Sequence, residues 1–142
     1  MAQTLSGALA WWARMQPDQP AVVLGGETLT YAAYRAWSDR VAAMLIADGL
    51  EPGDRVAICS LNSLAYCALI MGIIRAGGIV SPVNFRYTVR EIGELCEDTQ
   101  PRFAFAAPEF ADKMQVAGPP VRSMADIEAL REGDPVAVER DV

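Results

Sequence analysis

The chain has 142 residues, of which 52% are apolar and 21% charged, and its net charge is −6. That length fits one domain, able to bury roughly 70% of its unfolded surface without staples. The acidic balance carries no basic stripe and excludes a nucleic-acid footprint. The lack of any histidine removes the commonest general base and the commonest metal ligand together.

Thr4 to Met15 reads as an amphipathic helix with Leu5, Ala8, Leu9 and Trp12 on one face, ended by Pro17 and Pro20. Trp11 and Trp12 are expected to cap the core there, with a partner surface as the alternative reading. Ala21 to Leu24 and Glu27 to Thr30 flank Gly25-Gly26, the signature of a two-residue hairpin turn that needs positive φ. Thr30 is a suitable N-cap for a helix whose apolar stripe runs through Tyr31, Tyr34, Trp37, Val41, Met44 and Leu45 and stops at Gly49.

After the turn Glu51-Pro52-Gly53-Asp54, Arg55 to Ser60 reads as a strand. Asn62 and Ser63 can cap a helix from Leu64 to Ile74 that is apolar all round and therefore buried on more than one side. Gly77-Gly78 breaks it, and Ile79 to Val83 follows as a second strand. A strand, a helix and a strand in so few residues form a βαβ unit with parallel pairing. Neither strand alternates, which predicts a sheet covered on both faces.

Thr88 and Glu91 match a capping box for a helix with Val89, Ile92, Leu95 and Cys96 inward, ended by Pro101. Arg102 to Ala107 is a further strand, and Glu109 to Met114 a short helix. Val121-Arg122 suggests an edge strand, and Ser123 a cap for a last helix carrying Met124, Ile127 and Leu130 and closed by Gly133. Asp134 to Val142 has no periodicity and reads as a linker. No repeat is visible.

Residues able to do chemistry are scarce. No phosphate-loop, dinucleotide, nucleophile-elbow or zinc-helix motif is present. The one lysine, Lys113, sits in no glycine-rich loop. Cys59, Cys67 and Cys96 form no C-x-x-C pair and read as small core hydrophobes in a reducing compartment. The N-terminus has no basic n-region, and the longest apolar run, Ala65 to Ile74, falls far short of the ~18–20 residues that span a bilayer. A soluble cytoplasmic protein without a membrane span is expected.

One polar cluster stands out. Asn84-Phe85-Arg86-Tyr87-Thr88 follows the carboxyl end of a buried parallel strand, the edge where open α/β sheets bind ligands. An arginine there can grip a phosphate through two parallel hydrogen bonds. The competing reading is structural: Asn84 satisfies a turn, and Arg86 bridges to a nearby carboxylate.

The pieces Leu29-Thr30-Tyr31, Gly49-Leu50-Glu51-Pro52-Gly53-Asp54-Arg55-Val56-Ala57, Asn62-Ser63, Arg75-Ala76-Gly77-Gly78 and Pro82-Val83-Asn84-Phe85-Arg86-Tyr87-Thr88 occur in one order between Leu29 and Ala107. In that order they resemble the N-terminal part of the adenylate-forming superfamily, which holds acyl- and aryl-CoA ligases, peptide-synthetase adenylation domains and luciferases. The N-x-R-x-T wording is closer to the acid–CoA ligases. Ala33 departs from the pattern, because relatives often carry an acidic residue there that completes a capping box with Thr30.

The resemblance implies an α/β three-layer sandwich with a mainly parallel sheet. Residues 1–133 would form the N-terminal subdomain and 134–142 a linker towards the phosphate-loop segment. Complete enzymes of this kind join a carboxylic acid to ATP with Mg²⁺, release pyrophosphate and pass the acyl group to CoA. Their phosphate loop, adenine and ribose motifs and catalytic lysine have no matching positions here. No cofactor is therefore expected to bind this fragment tightly, and no adenylation is expected from it alone. Arg86 and Asn84 fall on an element that faces the CoA phosphates in some relatives. The implied partners are the remainder of the same enzyme, an acid substrate and a second copy through an exposed sheet face. Two rival readings are an interaction module that kept the fold without the chemistry, and a small nucleotide-binding α/β protein.

Overall fold

The computed structural model describes residues 4–138 and 140. Helix α1 (Leu5–Met15) precedes a hairpin of β1 (Pro20–Leu24) and β2 (Glu27–Thr30), which leads into α2 (Tyr31–Ala47). Strand β3 (Arg55–Cys59), α3 (Leu64–Arg75), β4 (Ile79–Pro82), α4 (Val89–Thr99), β5 (Phe103–Ala106), β6 (Val121–Ser123) and α5 (Met124–Glu128) follow. The hairpin stands apart as a two-stranded antiparallel sheet, and the other four strands pair in the order β4-β3-β5-β6, all parallel.

This order dictates the layers. The chain moves from β3 outward to β4 through α3, then back past β3 to β5 through α4. Crossovers of one hand in opposite directions must lie on opposite faces of the sheet. The core divides accordingly. Val56, Ile58 and Phe105 meet Trp37, Val41, Leu45, Leu69, Ile73 and Ile127 on the α2–α3–α5 face. Ala57, Cys59, Ala104 and Ala106 meet Ile92, Cys96 and Met114 on the α4 face. Large residues thus point one way along β3 and β5 and small ones the other, while all are buried. Both strands therefore read as continuous apolar runs, as in a sheet covered on both sides. The α/β three-layer sandwich with a parallel sheet is the fold.

Local chemistry sets the element ends. Thr4, Thr30, Ser63 and Thr88 each accept the amide three residues on. Thr88 and Glu91 form the complete capping box, whereas Thr30 receives the Ala33 amide with no carboxylate to return the bond. Gly25 and Gly26 both hold positive φ, as a tight hairpin turn requires.

Four expectations change. Strand β4 is an edge strand, so Ile79 is 47% exposed rather than covered on both faces. Trp11 and Trp12 do not cap the core: α1 buries only Leu9, Trp12 stacks on Tyr31 at 5.7 Å, and Trp11 meets Trp12 edge-on. The helix expected over Glu109 to Met114 is replaced by two 3₁₀ turns, Pro108–Phe110 and Lys113–Ala117. The last helix closes at Glu128, well before Gly133. No described helix is long and apolar enough to cross a membrane.

Arginines on α2 and α3 secure the chain that follows α5. Arg40 donates to the carbonyls of Leu130 (2.7 Å), Arg131 (2.5 Å) and Gly133 (3.4 Å). Arg75 donates to the carbonyls of Val138 and Arg140, and Arg140 in turn donates at 2.8 Å to each of the Leu50 and Ala76 carbonyls. Residues 134–138 have no regular structure, yet Val138 packs on the core.

Candidate functional site

A cleft of about 460 Å³ opens at the carboxyl ends of β3 and β4. Ser60, Leu61 and Asn62 after β3 form one wall, Tyr66 on α3 the floor, and Val83, Asn84, Phe85 and Tyr87 after β4 the other wall. Asn62 and Tyr66 also border a more apolar groove of about 400 Å³ that runs on between the hairpin residues Val22 and Leu24 and Ile70 of α3. The strand order reverses about β3, with β4 on one side and β5 on the other. Open α/β sheets place ligands at the carboxyl edge beside such a reversal. A larger depression of about 540 Å³ lies between α4 and Val116–Pro119, away from that edge. Its Gln100 side chain is already tied to the Glu97 carbonyl at 2.9 Å.

The loop from Asn84 to Thr88 is a closed turn. The Tyr87 amide donates to the Asn84 carbonyl and the Arg86 amide to Asn84 Oδ1, both at 2.9 Å. The Thr88 amide donates to Glu91 Oε1 at 3.2 Å. Asn84 thus does what the structural reading assigned to it. Arg86 does not: it is exposed, and among the described residues it forms no ion pair with a carboxylate. Its guanidinium instead rests over the Phe85 ring, 5.6 Å from the centroid. Asn84 and Arg86 therefore stand on one short turn at the lip of the cleft, the first spent on backbone geometry and the second with its charge unneutralised.

Lys113 is where sequence reasoning stopped short. It reaches from the segment after β5 and donates to the carbonyls of Phe85 and Tyr87, the latter at 3.0 Å. It also lies over the Phe110 ring, 5.2 Å from the centroid, and Phe110 stacks on Phe85 at 5.7 Å. The signal available in the sequence was its being the sole lysine. Nothing in the sequence pointed to carbonyls so far back along the chain.

Burial favours the neutral forms of Tyr66, Cys59 and Cys67 near the cleft. Burial pushes the Tyr66 phenol up, with Cys59 and Cys67 beside it adding to the effect. Burial also pushes up the thiols of Cys59, Cys67 and Cys96, as expected of cysteines serving as small core residues. Among the described residues no cluster of His, Cys, Asp and Glu could hold a metal ion. Lys113 is committed to carbonyls, and no glycine-rich loop lies at the cleft. These residues do not fit a Mg²⁺–triphosphate group. The exposed Arg86 does fit the simpler task of gripping a phosphate.

Comparisons with known proteins bear on the family and the fold. The family model described as AMP-binding enzyme matches residues 9–140. A fatty acid–[acyl-carrier-protein] ligase of Streptomyces coeruleorubidus is 38% identical over 120 residues, covering 82% of this chain and 23% of that protein. A ligase of Mycobacterium tuberculosis that joins CoA to a methyl-dioxo-octahydroindenyl propanoate is 34% identical over 139 residues, covering 98% of this chain and 27% of that protein. Among solved structures, the inhibitor-bound N-terminal domain of FACL13 from Mycobacterium tuberculosis superposes with a TM-score of 0.82 at 26% identity, covering 98% of this chain and 38% of that one. A fatty acyl CoA synthetase from the same organism gives 0.82 at 27% identity, covering 95% and 30%. The chain therefore spans about a quarter of the length of the two curated relatives.

Proposed function

Because the chain belongs to the AMP-binding enzyme family, we propose that it is the N-terminal region of an AMP-forming ligase that activates a carboxylic acid and transfers the acyl group to the thiol of CoA. In this reading residues 1–133 form the subdomain, and 134–142 lead towards the phosphate-loop segment. The subdomain lends one wall to the acyl and CoA sites. ATP and Mg²⁺ are held by the remainder of the enzyme, because preorganised donors at the triphosphate are what stabilise phosphoryl and adenylyl transition states and this chain has none at its cleft. The 142 residues alone are then inactive in adenylation, and the enzyme works in the cytoplasm.

The observation that carries the reading is Arg86, an exposed guanidinium without a carboxylate partner among the described residues, held on a tight turn at the carboxyl edge of the sheet. It supplies a fixed positive charge for the CoA phosphates, and Asn84 holds the turn that carries it. The test is kinetic, in the full-length gene product, with pyrophosphate release and thioester formation followed separately over a panel of carboxylic acids. Arg86→Ala should raise the KM for CoA about tenfold, as loss of one charge-assisted pair implies, and leave pyrophosphate release within about twofold. Equal loss of both steps would refute the role of Arg86. Lack of any acid-dependent pyrophosphate release would refute the ligase reading and favour an interaction module.

A second reading concerns the acceptor. The similarity to the Streptomyces fatty acid–[acyl-carrier-protein] ligase supports a carrier-protein thiol in place of CoA. The same assay run with both acceptors separates them.

A further inference from the structure

We propose that Lys113 is a positioning residue for the loop that bears Arg86: its ammonium group gathers the Phe85 and Tyr87 carbonyls on the inner side of the turn, so that the Arg86 guanidinium is presented to the nucleotide phosphates of CoA. The inference rests on the reading of Arg86 given above.

The loop has already used its donors. The amides of Arg86, Tyr87 and Thr88 all bond within the segment from Asn84 to Glu91. The two carbonyls that flank Arg86 take their donor from elsewhere, and the Tyr87 one is partly buried, where an unmet carbonyl costs free energy. Lys113 provides for both. An ammonium group has three N–H donors and no preferred plane, so one side chain can serve two acceptors.

The rings complete the device. The Lys113 ammonium, the Phe110 ring, the Phe85 ring and the Arg86 guanidinium follow one another, with successive separations of 5.2, 5.7 and 5.6 Å. Each cation faces a ring, and the rings lie 28° from parallel. Cation–π contact holds both ends. The segment after β5 is thereby tied to the loop after β4, across the place where the strand order reverses. Because Lys113 is matched by carbonyls and, among the described residues, by no carboxylate, its charge also remains to raise the positive potential at the cleft lip.

Two readouts test the proposal in the full-length gene product. Lys113→Met keeps the aliphatic stem and loses the donors. Tryptic cleavage after Arg86 should then quicken about tenfold relative to cleavage after Arg55 in β3, because opening of the loop has lost two charge-assisted bonds. The KM for CoA should rise about tenfold while kcat for pyrophosphate release stays within about twofold. Lys113→Arg keeps donors for both carbonyls and should restore each value. Phe110→Leu, which breaks the stack and leaves the lysine, should give the same selective rise in cleavage, so that an unstable Lys113→Met protein does not close the question.

Unchanged cleavage after Arg86 in Lys113→Met overturns the proposal. So does quickened cleavage with an unchanged KM for CoA where Arg86→Ala does raise that KM. If Arg86→Ala also leaves the KM for CoA unchanged, the phosphate role of Arg86 has failed, and the positioning role falls with it.

Discussion

Gly72 on α3 faces Val41 on α2 so closely that a Cβ on the glycine would stand 2.4 Å from Cγ1 and 2.6 Å from Cβ of the valine. The α2–α3 seam is set by this missing side chain. Gly72→Ala should destabilise the fold by about 1–3 kcal/mol, the usual cost of overpacking a filled core. A lowered denaturant midpoint at unchanged slope would show it. Adding Val41→Ala removes the Cγ1 overlap and leaves the Cβ one, so only part of the loss should return.

Tyr34 bonds across the same seam, its hydroxyl donating to the Cys67 carbonyl at 3.0 Å. Burial, with Cys67 adding to it, pushes this phenol from 10.0 up to about 12. The folded state therefore holds the proton more tightly than the unfolded state. The associated stability is fully present below about pH 10 and is lost as pH rises towards about 12. An absorbance titration at 295 nm should show two of the four tyrosines, Tyr34 and Tyr66, ionising late, with the Tyr34 step near pH 12. Tyr34→Phe should remove that late step and flatten stability over the same window.

Arg40 holds three consecutive-turn carbonyls after α5, and Trp37, one turn earlier on α2, donates Nε1–H to the Ile127 carbonyl at 2.9 Å. Arg40→Met keeps much of the stem and forfeits the bonds, at a cost of about 2 kcal/mol. Amide exchange should quicken first between residues 124 and 133, with β3 and β5 unaffected, because local opening precedes global unfolding.

Thr88 and Glu91 satisfy each other's backbone at the start of α4. Thr88→Ala should cost about 1 kcal/mol and Thr88→Ser much less, measured by thermal unfolding. Since the cap adjoins Tyr87, faster exchange of the Tyr87 amide should accompany the loss.

Features read along short stretches were visible in the sequence. The Gly25-Gly26 turn, the caps at Thr30, Ser63 and Thr88, and the β3–α3–β4 unit each depend on residues a few positions apart, where periodicity and capping chemistry speak directly. The contacts that set the site do not. Arg75 reaches carbonyls more than sixty positions along the chain, and no local pattern marks an arginine that will bond backbone oxygens. Lys113 is hidden in the same way. Trp11 and Trp12 misled because helical spacing identifies an apolar face and leaves open whether anything covers it. Strand β4 misled because an apolar run is equally at home at an edge when Pro82 and a following turn close it.

Lys113 is the only lysine, and it sits behind the loop that carries Arg86. Side-chain amine chemistry therefore has a single address in these 142 residues. A biosynthetic ¹³C-lysine label, which leaves all three N–H donors in place, would give one side-chain Cε resonance from this chain, split or broadened whenever the loop lets go of the ammonium group. The molecule thus carries a built-in reporter of its own loop geometry, readable in solution before any substrate is chosen.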